Sequence, residues 1–262
     1  MSLAMYLLAV LTGFELCIIA IPLANKLTGF SVQPVLMFFI TFIFCTAVIY
    51  LVNTMVFRRI RRLYLNDNTK LEFLNKAKAE IQYSVNSVLK SKLHILMCEH
   101  YFKQNNKKKA LESIRLANPF KSTLIFRYLF FLDSENKLNY FLKSIHLNLC
   151  FNNIIEAQSA FENGEYIINR FETTRYACDI KSTIAWLEYA KGNYSKADEL
   201  VSAAIDLNRS IPELEALKLL KAKIYLKLER TEVAHEILES IIINNVSEVI
   251  VAEAKQILLK YL

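Results

Sequence analysis

The sequence predicts an all-α fold: two transmembrane helices followed by stacked helical hairpins. Three observations carry that prediction. Two long apolar runs open the chain, the cluster Arg58-Arg59-Ile60-Arg61-Arg62 closes the second, and helical periodicity dominates the rest. Only four Gly and four Pro occur in 262 residues, too few for the turns of an all-β fold.

The apolar runs cover about residues 3–24 and 35–57. Each approaches the roughly 20 residues that a helix needs to cross the hydrocarbon core. The ten residues between them are too few for a domain, so the two runs read as a membrane hairpin. Cytoplasmic flanks are rich in Lys and Arg. Four arginines follow the second run, whereas the connecting loop has only Lys26, so both termini are expected in the cytoplasm and the chain in an inner (cytoplasmic) membrane. The first run lacks a basic leader region, and Pro22-Leu23-Ala24 makes a poor cleavage site, so the run is expected to be retained. Residues 1–62 then form a transmembrane hairpin with a basic juxtamembrane cluster, and residues 63–262 a cytoplasmic domain.

Glu15 stands near the middle of the first run, with Thr41, Cys45 and Thr46 at similar depth on the second. An ionised carboxylate there costs several kcal/mol. A protonated Glu15 bonded to a hydroxyl across the hairpin would act as interhelix glue. Contact with a partner subunit and a role in transport are the alternatives.

Charge is unevenly spread. Residues 1–62 carry +4, residues 63–132 carry +7 and residues 133–262 carry −4. A basic segment beside the bilayer suits anionic headgroups, with Arg58, Arg59, Arg61 and Arg62 at the membrane surface. No interleaved aromatic and basic motif points to nucleic acid, which is not expected as a partner. The five cysteines are dispersed and odd in number, and read as small buried side chains in a reducing compartment.

Beyond the arginines, Asn66-Asp67-Asn68-Thr69 forms a polar break. Leu74, Ala77, Ile81, Val85, Val88 and Leu89 then mark one face of a helix running to about Phe102. Gln104-Asn105-Asn106-Lys107 ends it, Lys109–Leu116 resumes a helix, and Asn118-Pro119 stops that one. Further helices are expected at about Thr174–Lys191, Ser195–Leu207, Ile211–Leu228, Glu232–Ile243 and Ser247–Leu262, with Pro212 at an early helical position and Ser247 as a cap.

Small and bulky residues recur across these pairs. One set is Ile184-Ala185, Gly192-x-Tyr194, Ala197, Val201 and Ala204-Ile205; another is Ala222, Tyr225, Ala234, Leu238 and Ile241-Ile242. Cys98, Tyr101, Ala110, Ile114 and Ala117 give a third, and Ala157 with Phe161 after Asn152-Asn153 a fourth. This resembles the tetratricopeptide repeat, in which small residues stand where two helices cross. The resemblance implies an α-solenoid of hairpins, each burying its neighbours' apolar faces. A membrane hairpin, then Val56-Phe57-Arg58-Arg59-Ile60-Arg61, then such repeats also resembles the bacterial HemY-type inner-membrane proteins, which implies a place beside haem biosynthesis.

By that resemblance, the first helix of each hairpin lines a concave partner-binding face. Carried over by register, the face shows Lys92, Glu99 and Lys103, then Asp179, Ser182, Trp186 and Tyr189, then Lys223 and Lys227. Trp186 and Tyr189 would form an aromatic patch and the two last lysines would hold a carboxylate, the mixture of anchors that suits a bound peptide or helix. The alternatives are a Trp186 packed between hairpins and lysines that are merely solvated. His94, Cys98 and His100 offer two ligands on one helix face, too few for a closed zinc site. No phosphate-binding glycine loop, nucleophile elbow or metalloprotease motif occurs, so neither catalysis nor a cofactor is expected. The expected function is a membrane-anchored scaffold for a protein partner. A HemY-like accessory protein and a small membrane subunit acting through Glu15 are the alternatives, and a homo-oligomer stays open.

Overall fold

A computed structural model describes residue 26 and residues 34–66, 69–84, 87–118, 134–208 and 210–261, with the backbone alone for residues 34–46, 49, 50 and 87. The described residues form eleven helices and no strand. They fall into two compact units, residues 1–136 and 137–262.

In the first unit, α1 (Pro34–Leu65) runs unbroken for 32 residues, from the second apolar run through the arginine cluster. Its last turns bury Asn53, Ile60 and Tyr64 along one stripe, while Arg58, Arg59, Arg61 and Arg62 are all exposed. The stripe packs on α2 (Lys70–Tyr83) and α3 (Ser87–Lys103), where Phe73, Ala77, Leu89 and Leu93 are buried. Among the described residues no helix is long and apolar enough to cross a membrane. The first predicted span lies outside the described residues, as does Glu15, and so do the side chains of Thr41, Cys45 and Thr46. The transmembrane reading therefore rests on the sequence.

The single helix expected from about Leu74 to Phe102 is in fact two. Ser84 closes α2 in an extended conformation, with its N–H donating to the Glu80 carbonyl at 2.8 Å. Serine is among the residues that disfavour a continuing helix, because its hydroxyl can bond nearby backbone groups instead. α3 pairs with α4 (Lys107–Leu116), which Asn106 caps by accepting from the Lys109 N–H at 3.2 Å.

The second unit holds α5 (Ser134–Cys150) from Lys137 onward, α6 (Ile154–Phe171), α7 (Ala177–Ala190), α8 (Tyr194–Leu207), α9 (Ile211–Lys227), α10 (Thr231–Asn244) and α11 (Glu248–Tyr261). The sequence reading leaves 120–173 without assigned helices apart from the Asn152-Asn153 turn, and α5 and α6 occupy much of it. From α7 onward the observed ends agree with the predicted ones to within a few residues.

Four hairpins, α3–α4, α5–α6, α7–α8 and α9–α10, share one turn. Its central residue is left-handed: Asn105 (φ 55°), Asn152 (φ 57°), Gly192 (φ 84°) and Glu229 (φ 59°). The following N–H reaches back to the carbonyl five residues earlier, Asn106 to Tyr101, Asn153 to Asn148, Asn193 to Glu188 and Arg230 to Tyr225, at 2.8–2.9 Å. This is the Schellman closure, which satisfies carbonyls that a helix end leaves orphaned.

Because the turns match, the packing positions match. Five residues after each left-handed residue stands an alanine, Ala110, Ala157, Ala197 or Ala234, each fully buried. Seven residues before it stand Cys98, Ile145, Ala185 and Ala222, all buried too. Small side chains there let the paired helices approach. Ile145 is the bulky exception, and its hairpin has a glycine later in the partner helix. A Cβ on Gly164 would meet the Phe141 ring at 2.5 Å, so glycine makes room for Phe141. The weak fourth set seen in the sequence is therefore a full hairpin. One cysteine expectation is corrected: Cys98 is buried, but Cys150 is exposed at the end of α5, where the helix terminus faces solvent.

Candidate functional site

α7 and α9 lie side by side in the second unit and run parallel, because α8 returns the chain between them. Along them open two clefts, one walled by Trp186 and the other by Tyr189. One, of about 180 Å³, is walled by His146, Cys178, Asp179, Ser182, Trp186 and Glu213 among others. The other, of about 350 Å³, is walled by Tyr189, Lys223, Lys227, Glu253, Lys260 and Tyr261 among others.

Trp186 and Tyr189 are one helical turn apart on α7 and both half-buried. Their rings stand edge-to-face, with centroids 6.0 Å apart at 89°, and Tyr194 continues the row 5.7 Å from Tyr189. Such edge-to-face pairs fix each ring against the other's quadrupole. Trp186 is thus both a packing residue and a wall of the groove, since it also joins the buried cluster of Ala185, Ala197, Leu217 and Leu220.

Lys223 sits on α9 with its ammonium 5.1 Å above the Trp186 ring centre and 2.7 Å from a Glu253 carboxylate oxygen. It is therefore held inside the wall by a ring and a carboxylate. Lys227, one turn further, is exposed in the larger cleft. Lys260 lies across it, 6.0 Å from the Tyr261 ring centre. Lys92 and Lys103 belong to the first unit, where Lys103 stacks over the Tyr64 ring at 5.0 Å and Lys92 is half-buried.

The smaller cleft is acidic. Ser182 and Thr183 donate their hydroxyls to the Asp179 carbonyl, at 3.0 and 2.7 Å, and so leave its carboxylate alone. Burial pushes the Asp179 pKa up and Lys143 opposes it. The His146 pKa is pushed down, first by burial and then by Lys143. Cys178 donates to the Ala204 carbonyl at 3.4 Å, and burial and the carboxylates of Asp179 and Glu213 raise its pKa, so it stays a thiol.

The sequence reading singles out Asp179, Ser182, Trp186, Tyr189, Lys223 and Lys227, and the structure brings all six to these clefts. It misses Glu253, Lys260 and Tyr261 of α11, because it places no residue of the last helix on the partner-binding face. A signal existed: buried Ala254 stands 32 residues after buried Ala222, so α11 repeats the first helix of a hairpin. The arrangement offers aromatic surface and separated charges. Comparison with family models, with curated proteins and with solved structures gives no match for this chain.

Proposed function

We propose that this chain is a membrane-anchored, tetratricopeptide-like adaptor that holds a segment of a protein partner in the α7–α9–α11 groove, without catalysing a reaction. The observation that carries the reading is the edge-to-face Trp186–Tyr189 pair between two open clefts. Rigid aromatic surface flanked by charge is the composition of binding hot spots. Four hairpins with one turn geometry support the repeat reading. The membrane anchor rests on the two apolar runs, and Arg58, Arg59, Arg61 and Arg62 lie exposed where anionic headgroups would meet them. An anchor concentrates a weakly binding module in two dimensions, so modest affinity suffices.

The test is photo-crosslinking in native membranes with a reactive residue at Ser182, and at exposed Glu165 on α6 as control. A discrete adduct at Ser182, absent at Glu165 and lost in Trp186→Ala, is expected. The same adducts at both positions, or adducts indifferent to Trp186→Ala, would refute the groove. Release of the chain by alkaline carbonate would refute the anchor.

A further inference from the structure

The two clefts, one walled by Trp186 and the other by Tyr189, carry opposite charge. Asp179 and Glu213 stand in the first turns of α7 and α9, and both line the smaller cleft. No hydrogen bond or ion pair reaches either carboxylate among the described residues. Two parallel helix N-termini contribute roughly half a positive charge each, and two full carboxylates outweigh them. Burial and Lys143 push the His146 pKa down, and Lys143 is the cation whose field reaches Asp179. At the other end, Lys223, Lys227 and Lys260 face the single carboxylate Glu253, which Lys223 already holds. The larger cleft is therefore cationic.

Resting on the groove reading above, we infer that the bound segment is bipolar: a cationic side chain at Asp179 and Glu213, an apolar or aromatic one against Trp186 and Tyr189, and an acidic one at Lys227 and Lys260. Spacing follows from the helix rise. Asp179 to Tyr189 spans about 15 Å and Glu213 to Lys227 about 21 Å. An extended chain at about 3.3 Å per residue covers that in about five or six residues. A uniformly acidic or basic segment would leave one cleft facing like charge, and like-charge juxtaposition is a strong filter against wrong partners.

The experiment uses the full chain in phosphatidylcholine vesicles, whose neutral surface does not attract the probes. Four fluorescein-labelled nine-residue peptides are titrated by anisotropy. Each has phenylalanine at the fifth position and serine elsewhere. At the second and eighth positions they carry lysine and glutamate, glutamate and lysine, two lysines, or two glutamates. One bipolar peptide should bind about tenfold tighter than both uniform ones, because the comparison exchanges an attractive charge pair for a like-charge one and so counts the pair about twice. Reversing Asp179→Lys and Glu213→Lys together should transfer the preference to the diglutamate peptide. Should that variant misfold by circular dichroism, Asp179→Asn with Glu213→Gln should abolish the tenfold gap between bipolar and diglutamate peptides. Diglutamate binding as tightly as the bipolar peptides, or a ranking unmoved by the variants, overturns the inference. No binding by any peptide while the Ser182 adduct persists also overturns it, and leaves the groove standing. No binding together with no adduct sinks both.

Discussion

Lys223 on α9 reaches Glu253 on α11 at 2.7 Å while its ammonium lies over Trp186, so one cation ties three helices at the groove. The chain has a single tryptophan, which makes the groove optically addressable.

Lys223→Met should therefore shift the emission of Trp186 while leaving the fold intact. The Glu253 side chain is 45% exposed, so the ion pair is screened. Its loss and that of the cation–π contact should together cost about 1–2 kcal/mol. Emission spectra and urea melts of the variant measure both effects, and an unchanged spectrum would mean that the ammonium does not sit over the ring in solution.

The hairpin turns predict opposite signs for two substitutions at equivalent positions. Gly192 has φ 84° and open space where a Cβ would project, so Gly192→Ala should cost about 1–2 kcal/mol from backbone strain alone. Glu229 already bears that strain at φ 59°. Glu229→Gly should stabilise by about 0.5–1 kcal/mol. Chemical denaturation of the two variants compares them directly.

Gly164→Ala should destabilise by about 1–3 kcal/mol, because its methyl group would enter the Phe141 ring. Combining it with Phe141→Leu should recover part of the loss, a coupling that a double-mutant cycle reads.

Glu188 predicts a pH dependence. It is 3% exposed and accepts from Asn193 at 2.6 Å, Lys196 at 3.1 Å and Lys191 at 3.3 Å. Burial pushes its pKa up, but these hydrogen bonds outweigh burial and hold it below the ordinary value of 4.5. A group with a depressed folded pKa stabilises the fold above its unfolded pKa, and that stability fades as pH falls through the folded one. Acidification below about pH 4.5 should thus weaken the native chain more than Glu188→Gln. At pH 7, Glu188→Ala should cost about 1–3 kcal/mol by removing the hydrogen bonds that Asn193, Lys196 and Lys191 donate to its carboxylate. Denaturation curves from pH 7 to pH 3 for both proteins test the sign.

Periodicity alone placed α7 to α11 to within a few residues, since Gly192, Pro212 and the alternation of small and bulky residues mark helix ends and crossings locally. It failed where the signal was not local. Ser84 breaks a helix whose apolar face continues across the break. The α5–α6 hairpin was faint in sequence because bulky Ile145 fills the position that is small elsewhere, with Gly164 making room for Phe141 in the partner helix.

Composition and pattern by themselves determined the helical class and the pairing of helices through tight turns, because each follows from spacing along one helix, whereas the groove residues came from the register of the repeat resemblance. Only tertiary structure decided that Lys223 is spent on Glu253 and Trp186 while Lys227 stays open, and that Asp179 and Glu213 converge on one cleft. Such pairings join residues about 30 positions apart, and one helix's period carries no information about what its neighbour brings to the same surface.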